Sequence, residues 1–279
     1  MLGIVLSVVA VVVGLVAATL LYGICIERYL VRFPRVRIPV PGLPEAFRGF
    51  TLVHVSDLHY GPLVPTWFLR RLLKKVERIE RDVVVCTGDY VSGVNVPERV
   101  DRAWSLLDAL SARDGVHAVL GNCDHVAHDE RSRQRMDRSG TGLRGRAVEI
   151  RRESDSLWLA GSGDLLKDHV PLDEVLAPIP ADHTRIVLAH NPDTADSPFT
   201  GRVDLFVTGH THGGQIGLPC LRTRLLPVRN KEYSHGLKRS RKGQPVFISK
   251  GIGWGIFPGR LACLPEIPVL ELVPAPREP

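Results

Sequence analysis

Three observations place this 279-residue chain in the α/β class, with one transmembrane helix at its N-terminus. A charge-free apolar run covers Leu2–Ile26. From Phe50 onward, short Val/Ile-rich runs alternate with amphipathic helical stretches in the order β-α-β-α-β, a pattern of α/β architecture. Five of the β-type runs end in Asp, His or Asn. Hydrophobic content of 44% and charged content of 24% are ordinary for a globular protein and exclude extended disorder.

A helix needs roughly 20 residues to cross the hydrocarbon core of a bilayer, and the first run meets that length. A secretory signal would have a basic start and an apolar stretch of about 7–15 residues. Met1-Leu2-Gly3 carries no Lys or Arg and the run is longer, so residues 1–27 read as an uncleaved anchor. Arg28, Arg32, Arg35 and Arg37 follow it, and basic flanks stay cytoplasmic. The expected location is therefore the cytoplasmic (inner) membrane, single-pass, with the body in the cytoplasm. Residues 28–48, proline-rich from Pro34 to Pro44, read as a stiff basic linker, and residues 49–279 as the folded domain. Cys25, Cys86, Cys123, Cys220 and Cys263 are odd in number and form no Cys-x-x-Cys pair, which excludes a disulfide framework or thiolate zinc site.

Within the domain, Phe50–Val55, Asp82–Cys86 and Val116–Leu120 are expected strands. Trp67–Glu80 carries Phe68, Leu72, Val76 and Ile79 at helical spacing, and Pro97 opens a second helix over Pro97–Ala112. Trp67, Phe68 and Leu72 either pack inside or line an acyl-chain groove, and Trp254 is either a rim residue or a packed one. Arg131–Arg152 reads as an exposed excursion, either a solvated loop or a cationic rim. Leu157–Ala160, Thr184–Ala189, Val203–Val207, Val246–Ser249 and Ile267–Leu272 are further strands.

Ligands of open α/β sheets bind beyond the carboxyl ends of the strands. Asp57, His59, Asp89, Asn122, His190, His210 and His212 all fall there. In extended chain, residues i and i+2 face one side, so Asp57 with His59, and His210 with His212, share a face. Taken singly, each is explained as well by turn chemistry or a surface histidine; their joint register is not. The set mixes imidazole, carboxylate and amide oxygen without thiolate, which suits Mn, Fe or Zn. Seven ligands exceed one tetrahedral ion and fit two divalent metal ions sharing a carboxylate, with Asp89 on the central strand as the bridge.

The run Asp57-Leu58-His59, Gly88-Asp89, Gly121-Asn122, His190 and Gly209-His210-Thr211-His212 resembles the calcineurin-like metallophosphoesterases, over roughly Phe50 to the C-terminus. The anchor and the ending at Gln215 resemble its membrane-associated bacterial branch, which includes phosphodiesterases and a UDP-2,3-diacylglucosamine pyrophosphohydrolase. The resemblance implies a four-layer sandwich of two mixed β-sheets flanked by helices. It implies that Asp57, His59 and His212 hold one metal, that Asn122, His190 and His210 hold the other, and that Asp89 bridges. It implies hydrolysis of a phosphodiester or pyrophosphate bond, with a lipid-linked substrate suggested by the anchor. One position departs: the family has His after the metal-binding Asn, and here Cys123 stands there. Either His125 supplies the missing imidazole or the leaving group needs no strong acid.

A rival reading is a membrane-tethered metal-binding protein with lost catalysis, marked by Cys123. The charge balance, 36 Lys and Arg against 30 Asp and Glu, gives +6 and favours phosphate-bearing partners or an anionic membrane. No recognition helix or aromatic-basic interleaving accompanies it, so no nucleic-acid partner is expected.

Overall fold

Val-rich runs with no polar face must be covered on both sides, and the chain supplies that cover in four layers. The computed structural model describes residues 1–218, 224, 226–255 and 257–276; Cys220 and the end of the domain at 277–279 lie outside the described residues. Arg35–Pro41 (β1), Thr51–Val55 (β2), Val83–Cys86 (β3), Val116–Ala118 (β4) and Val269–Ala275 (β11) form one sheet in the order β1-β11-β2-β3-β4. All neighbours in it are parallel except β11 with β2. Arg146–Arg152 (β5), Asp155–Gly161 (β6), Thr184–Leu188 (β7), Leu205–Thr208 (β8), Gly236–Arg239 (β9) and Pro245–Ile248 (β10) form the other, in the order β5-β6-β7-β8-β10-β9.

Strand periodicity assigns the faces. Leu52, Val83 and Val85 point between the sheets, against Leu159, Ile186, Leu188 and Val207. Val84 and Cys86 point outward into a core with Phe68, Leu72 and Val76 of α2 (Thr66–Val76) and Val100 and Trp104 of α3 (Pro97–Leu107). Ala127 and Met136 of α4 (Asn122–Ser139) join that core. Leu172, Val175 and Leu176 of the short α5 (Leu172–Leu176) cover the other sheet over Val187 and Phe206. This is the expected sandwich of two mixed sheets between helices. Phe68, Leu72 and Trp254 are core residues, whereas Trp67 is exposed. Cys25, Cys86, Cys123 and Cys263 are free thiols.

Among the described residues one helix, α1 (Leu2–Cys25), is long and apolar enough to cross a membrane, and its apolar side chains are exposed over most of its length.

Two expectations are corrected. The proline-rich linker is an edge strand: β1 pairs with β11 from Arg35↔Val269 to Pro41↔Ala275, and Ile38 and Val40 are fully buried. Pro39 and Pro41 alternate with those residues, and an edge strand tolerates a missing N–H on its open side. A proline-rich edge strand thus has the composition of a linker. Arg131–Arg152 is likewise no loop. Its first part continues α4, and Arg131 pairs with Asp101 of α3 and Arg135 with Asp108 just past the end of α3, each at 2.8 Å. Arg144 pairs with Asp168, and Arg152, in β5, with Asp114. Much of the charge that suggests a cationic rim is matched inside the fold.

The strand reading of residues 35–41 has a direct check. Ile38→Ala in the full chain is expected to lower unfolding stability by about 2–5 kcal/mol in denaturant titration. A change within about 0.5 kcal/mol, as for a surface linker, contradicts it.

Candidate metal centre

The parallel strands β2, β3, β4, β7 and β8 bring their carboxyl ends to one edge of the sandwich. Asp57 and His59 follow β2, Asp89 follows β3, and Asn122 opens the helix after β4. His190 follows β7, and His210 and His212 follow β8. The seven residues singled out in the sequence thus lie at the ends of five strands.

The backbone does not deliver them as extended chain. Asp57, His59, Asp89, His210 and His212 have φ of 54°, 49°, 55°, 70° and 52°. That left-handed conformation is unfavourable for a side-chain-bearing residue by roughly 1–3 kcal/mol. Side chains two apart meet because each strand breaks into a tight left-handed corner. Cross-strand hydrogen bonds hold the corners: Asp57 N–H donates to Gly88 O at 3.0 Å, His59 N–H to Asp89 O at 2.9 Å, and Gly209 N–H to His190 O at 3.0 Å. At Gly121 the packing leaves no room for a side chain. A Cβ there would lie 2.3 Å from Asp89 Oδ1 and 2.8 Å from the His190 ring. Asp124 accepts the N–H groups of Gly121, Asp89 and Tyr90 at 2.8–2.9 Å and so ties the β3 corner to the start of α4.

Two groups of donors result. In the first, His59 Nε2 lies 2.9 Å from His212 Nε2, and His212 Nε2 lies 3.4 Å from Asp57 Oδ1. In the second, His190 Nε2 lies 3.0 Å from His210 Nδ1. Asp89 belongs to both: its Oδ2 is 3.5 Å from His59 Nε2 and its Oδ1 is 3.4 Å from His190 Nε2. Donors about 2.1 Å from a shared cation and roughly 90–110° apart lie about 3.0–3.4 Å from each other, the separations seen here.

The histidine tautomers agree. His190 Nδ1 faces Thr87 O at 2.7 Å, and His210 Nε2 faces Pro227 O at 3.0 Å. A carbonyl only accepts, so each of those nitrogens carries a proton, and His190 Nε2 and His210 Nδ1 face the cluster. Asn122 Oδ1 is buried without a hydrogen-bond partner. An oxygen orphaned there is unfavourable unless an ion satisfies it.

The charges are mutually adjusted. Burial alone would raise the Asp89 carboxyl, but the imidazoles of His190, His59 and His210 carry it well below the usual carboxylate range. Burial opposes a proton on His190, yet Asp89 beside it lifts that ring to about 10. Burial, with His59 and Arg260 alongside, holds His212 well below the ordinary histidine value. A pocket of this kind retains positive charge, and its donors suit a divalent ion.

Cys123 sits beside Asp89: its backbone N–H donates to Asp89 Oδ1 at 2.8 Å. Burial, then the charge of Asp89, raises its thiol far above the usual range. His125 stands apart from both donor groups. Its Nδ1 lies 2.5 Å from Asp129 Oδ1, and its buried Nε2 has no hydrogen-bond partner and lies 4.0 Å from Asp168 Oδ2.

Several contributors carry no motif in the sequence. Ser56 Oγ donates to Asp57 Oδ2 at 2.5 Å and accepts from Thr87 Oγ1 at 2.7 Å, which is itself 2.7 Å from His54 Nε2. Burial depresses His54 to about 3, so it is neutral. Ser92 Oγ supports His59 Nδ1 at 2.9 Å, and the fully buried Arg260 lies against His212. Ser56 and Thr87 adjoin motif residues, which is a signal of sorts; Ser92 and Arg260 offer none.

The profile of the Calcineurin-like phosphoesterase family matches residues 50–214, a span that includes all seven donors. The chain is 30% identical over 257 residues to an uncharacterized metallophosphoesterase of Aquifex aeolicus (strain VF5), covering 88% of this chain and 94% of the relative. It is 29% identical over 231 residues to Phosphodiesterase YaeI of Escherichia coli (strain K12), covering 80% and 82%. It is 24% identical over 281 residues to UDP-2,3-diacylglucosamine pyrophosphatase LpxG of Chlamydia trachomatis, covering 82% and 85%. With the profile matched over more than half its length, the chain belongs to the calcineurin-like phosphoesterase family, whose members are metal-dependent hydrolases.

Proposed function

We propose that the protein is a membrane-anchored phosphoesterase with two metal ions, and that it hydrolyses phosphodiester or pyrophosphate bonds of a lipid-linked substrate such as UDP-2,3-diacylglucosamine. The observation that carries the dinuclear reading is the Asp89 carboxylate, with one oxygen turned to each donor group. Asp57, His59 and His212 form the first site, Asn122, His190 and His210 the second, and Asp89 is shared. Mn, Fe or Zn suits this donor set. Bound there, the ions supply an activated water and stabilise charge building on the phosphoryl oxygens.

The leaving group needs a proton where Cys123 replaces the usual imidazole. His125 is the candidate donor: Asp129 orients its ring, and its Nε2 has no hydrogen-bond partner. The lipid-linked substrate is supported by α1 and by the likeness to LpxG. Arg28, Arg32, Arg35 and Arg37 after the helix support a cytoplasmic domain in the inner membrane.

With purified full-length protein, Mn and bis(4-nitrophenyl) phosphate, steady turnover is expected. Asp89→Ala and His210→Ala should reduce it to background, and chelation should abolish it until Mn is returned. Bound metal without hydrolysis of that diester or of a nucleotide-linked lipid would instead indicate a tethered metal-binding protein with lost catalysis. His125→Gln should slow an alkyl phosphodiester by about 100-fold or more and leave the 4-nitrophenyl diester within a few-fold, because a good leaving group needs no acid. Equal rates for wild type and variant on both substrates rule His125 out. For orientation, a C-terminal reporter active only outside the cytoplasm contradicts the topology.

A further inference from the structure

The apolar helix does not end free of the folded body. Gly23, in its last turn, accepts the Arg260 N–H at 3.1 Å, and a Cβ on Gly23 would lie 2.7 Å from Arg260 O. Glu27, just past the helix, is buried, and its carboxylate accepts the Cys263 N–H at 2.8 Å. Arg28 donates to Pro258 O at 2.7 Å and lies 4.5 Å above the Trp254 ring. Tyr29 packs edge-on against Trp254 and Phe68. Residues 23–29 thus hold the segment 258–263 along one side.

The other side of that segment touches the metal centre. Backbone carbonyls engage the fully buried Arg260 guanidinium: Nη1 donates to His212 O at 3.0 Å, Nε to Gly253 O at 3.2 Å and Nη2 to Gly251 O at 3.4 Å. Gly253 N–H in turn donates to Asp57 O at 2.7 Å. Cys263 Sγ lies 3.3 Å from His212 O. A buried cation without such partners is strongly unfavourable, so the carbonyls and the guanidinium fix one another.

We infer that the end of the membrane helix is a working part of the metal centre, with Glu27 and Arg260 as positioning residues that act, through the backbone at Gly251, Gly253 and Cys263, on His212 and Asp57. The inference rests on the metal-centre reading above. The helix is therefore more than a tether: it sets the His212 corner, and it ties the centre to the level of the membrane surface.

The test compares Gly23→Ala with Gly14→Ala in the full chain in nanodiscs. Both changes favour helix, and a Cβ at Gly14 meets nothing within 4 Å. Gly23→Ala is expected to weaken Mn affinity by about 10–100-fold, the range for a displaced outer-shell support. It should also raise maleimide labelling of Cys263, mapped by peptide mass spectrometry. Gly14→Ala should match wild type in both. Glu27→Ala should behave like Gly23→Ala, and Glu27→Gln, which keeps an acceptor oxygen, should restore binding. Wild-type Cys263 labelling and Mn affinity in Gly23→Ala would overturn the inference. If the wild type bound no metal, the metal-centre reading would fail by itself, and Cys263 labelling would still decide the coupling.

Discussion

The structure turns on one carboxylate. Asp89 projects from the end of β3, between β2 and β4, with one oxygen toward His59 and the other toward His190. Its position obliges Gly121 to be bare, Asp124 to gather the surrounding N–H groups, and the backbone at Asp89 itself to turn left-handed. The same backbone strain recurs at Asp57, His59, His210 and His212. Strain at several adjacent residues persists only where the surroundings over-determine it. Here two packed sheets and a set of cross-strand hydrogen bonds do so.

The charge of the centre follows from that geometry. The buried Asp89 anion raises the imidazole of His190 to about 10, so the centre favours positive charge. The backbone carbonyls of Thr87 and Pro227 fix two rings so that His190 Nε2 and His210 Nδ1 face inward, and Asn122 adds an oxygen with no hydrogen-bond partner. Members of this family are metal-dependent hydrolases, and the donors fit that chemistry. Beside Asp89 stands the neutral thiol of Cys123, within 4.8 Å of the His59 imidazole, while His125, two residues further on, is held by Asp129.

The donor residues were legible in the sequence because each lies at the end of a short apolar run, and strand ends of parallel sheets meet at one edge. The layers were legible for the same reason. Asp57 and His59 do not converge as alternate residues of extended chain; they converge through left-handed corners. Such corners depend on hydrogen bonds from other strands and leave no periodic trace. β1 was hidden because Pro39 and Pro41 carry the composition of a linker, while its partner β11 lies at the far end of the chain. The arginines of α4 carry no pairing signal in the sequence because their partners, Asp101 in α3 and Asp108 just past its end, lie on another element. Arg260 was invisible on similar grounds: it reaches His212 across 48 residues of chain.

Anomalous diffraction from crystals grown with Mn tests the central claim most directly. Two Mn peaks are expected, one beside Asp57, His59 and His212 and one beside Asn122, His190 and His210, with an Asp89 oxygen on each. A single peak, or two peaks of which only one touches Asp89, would contradict the account.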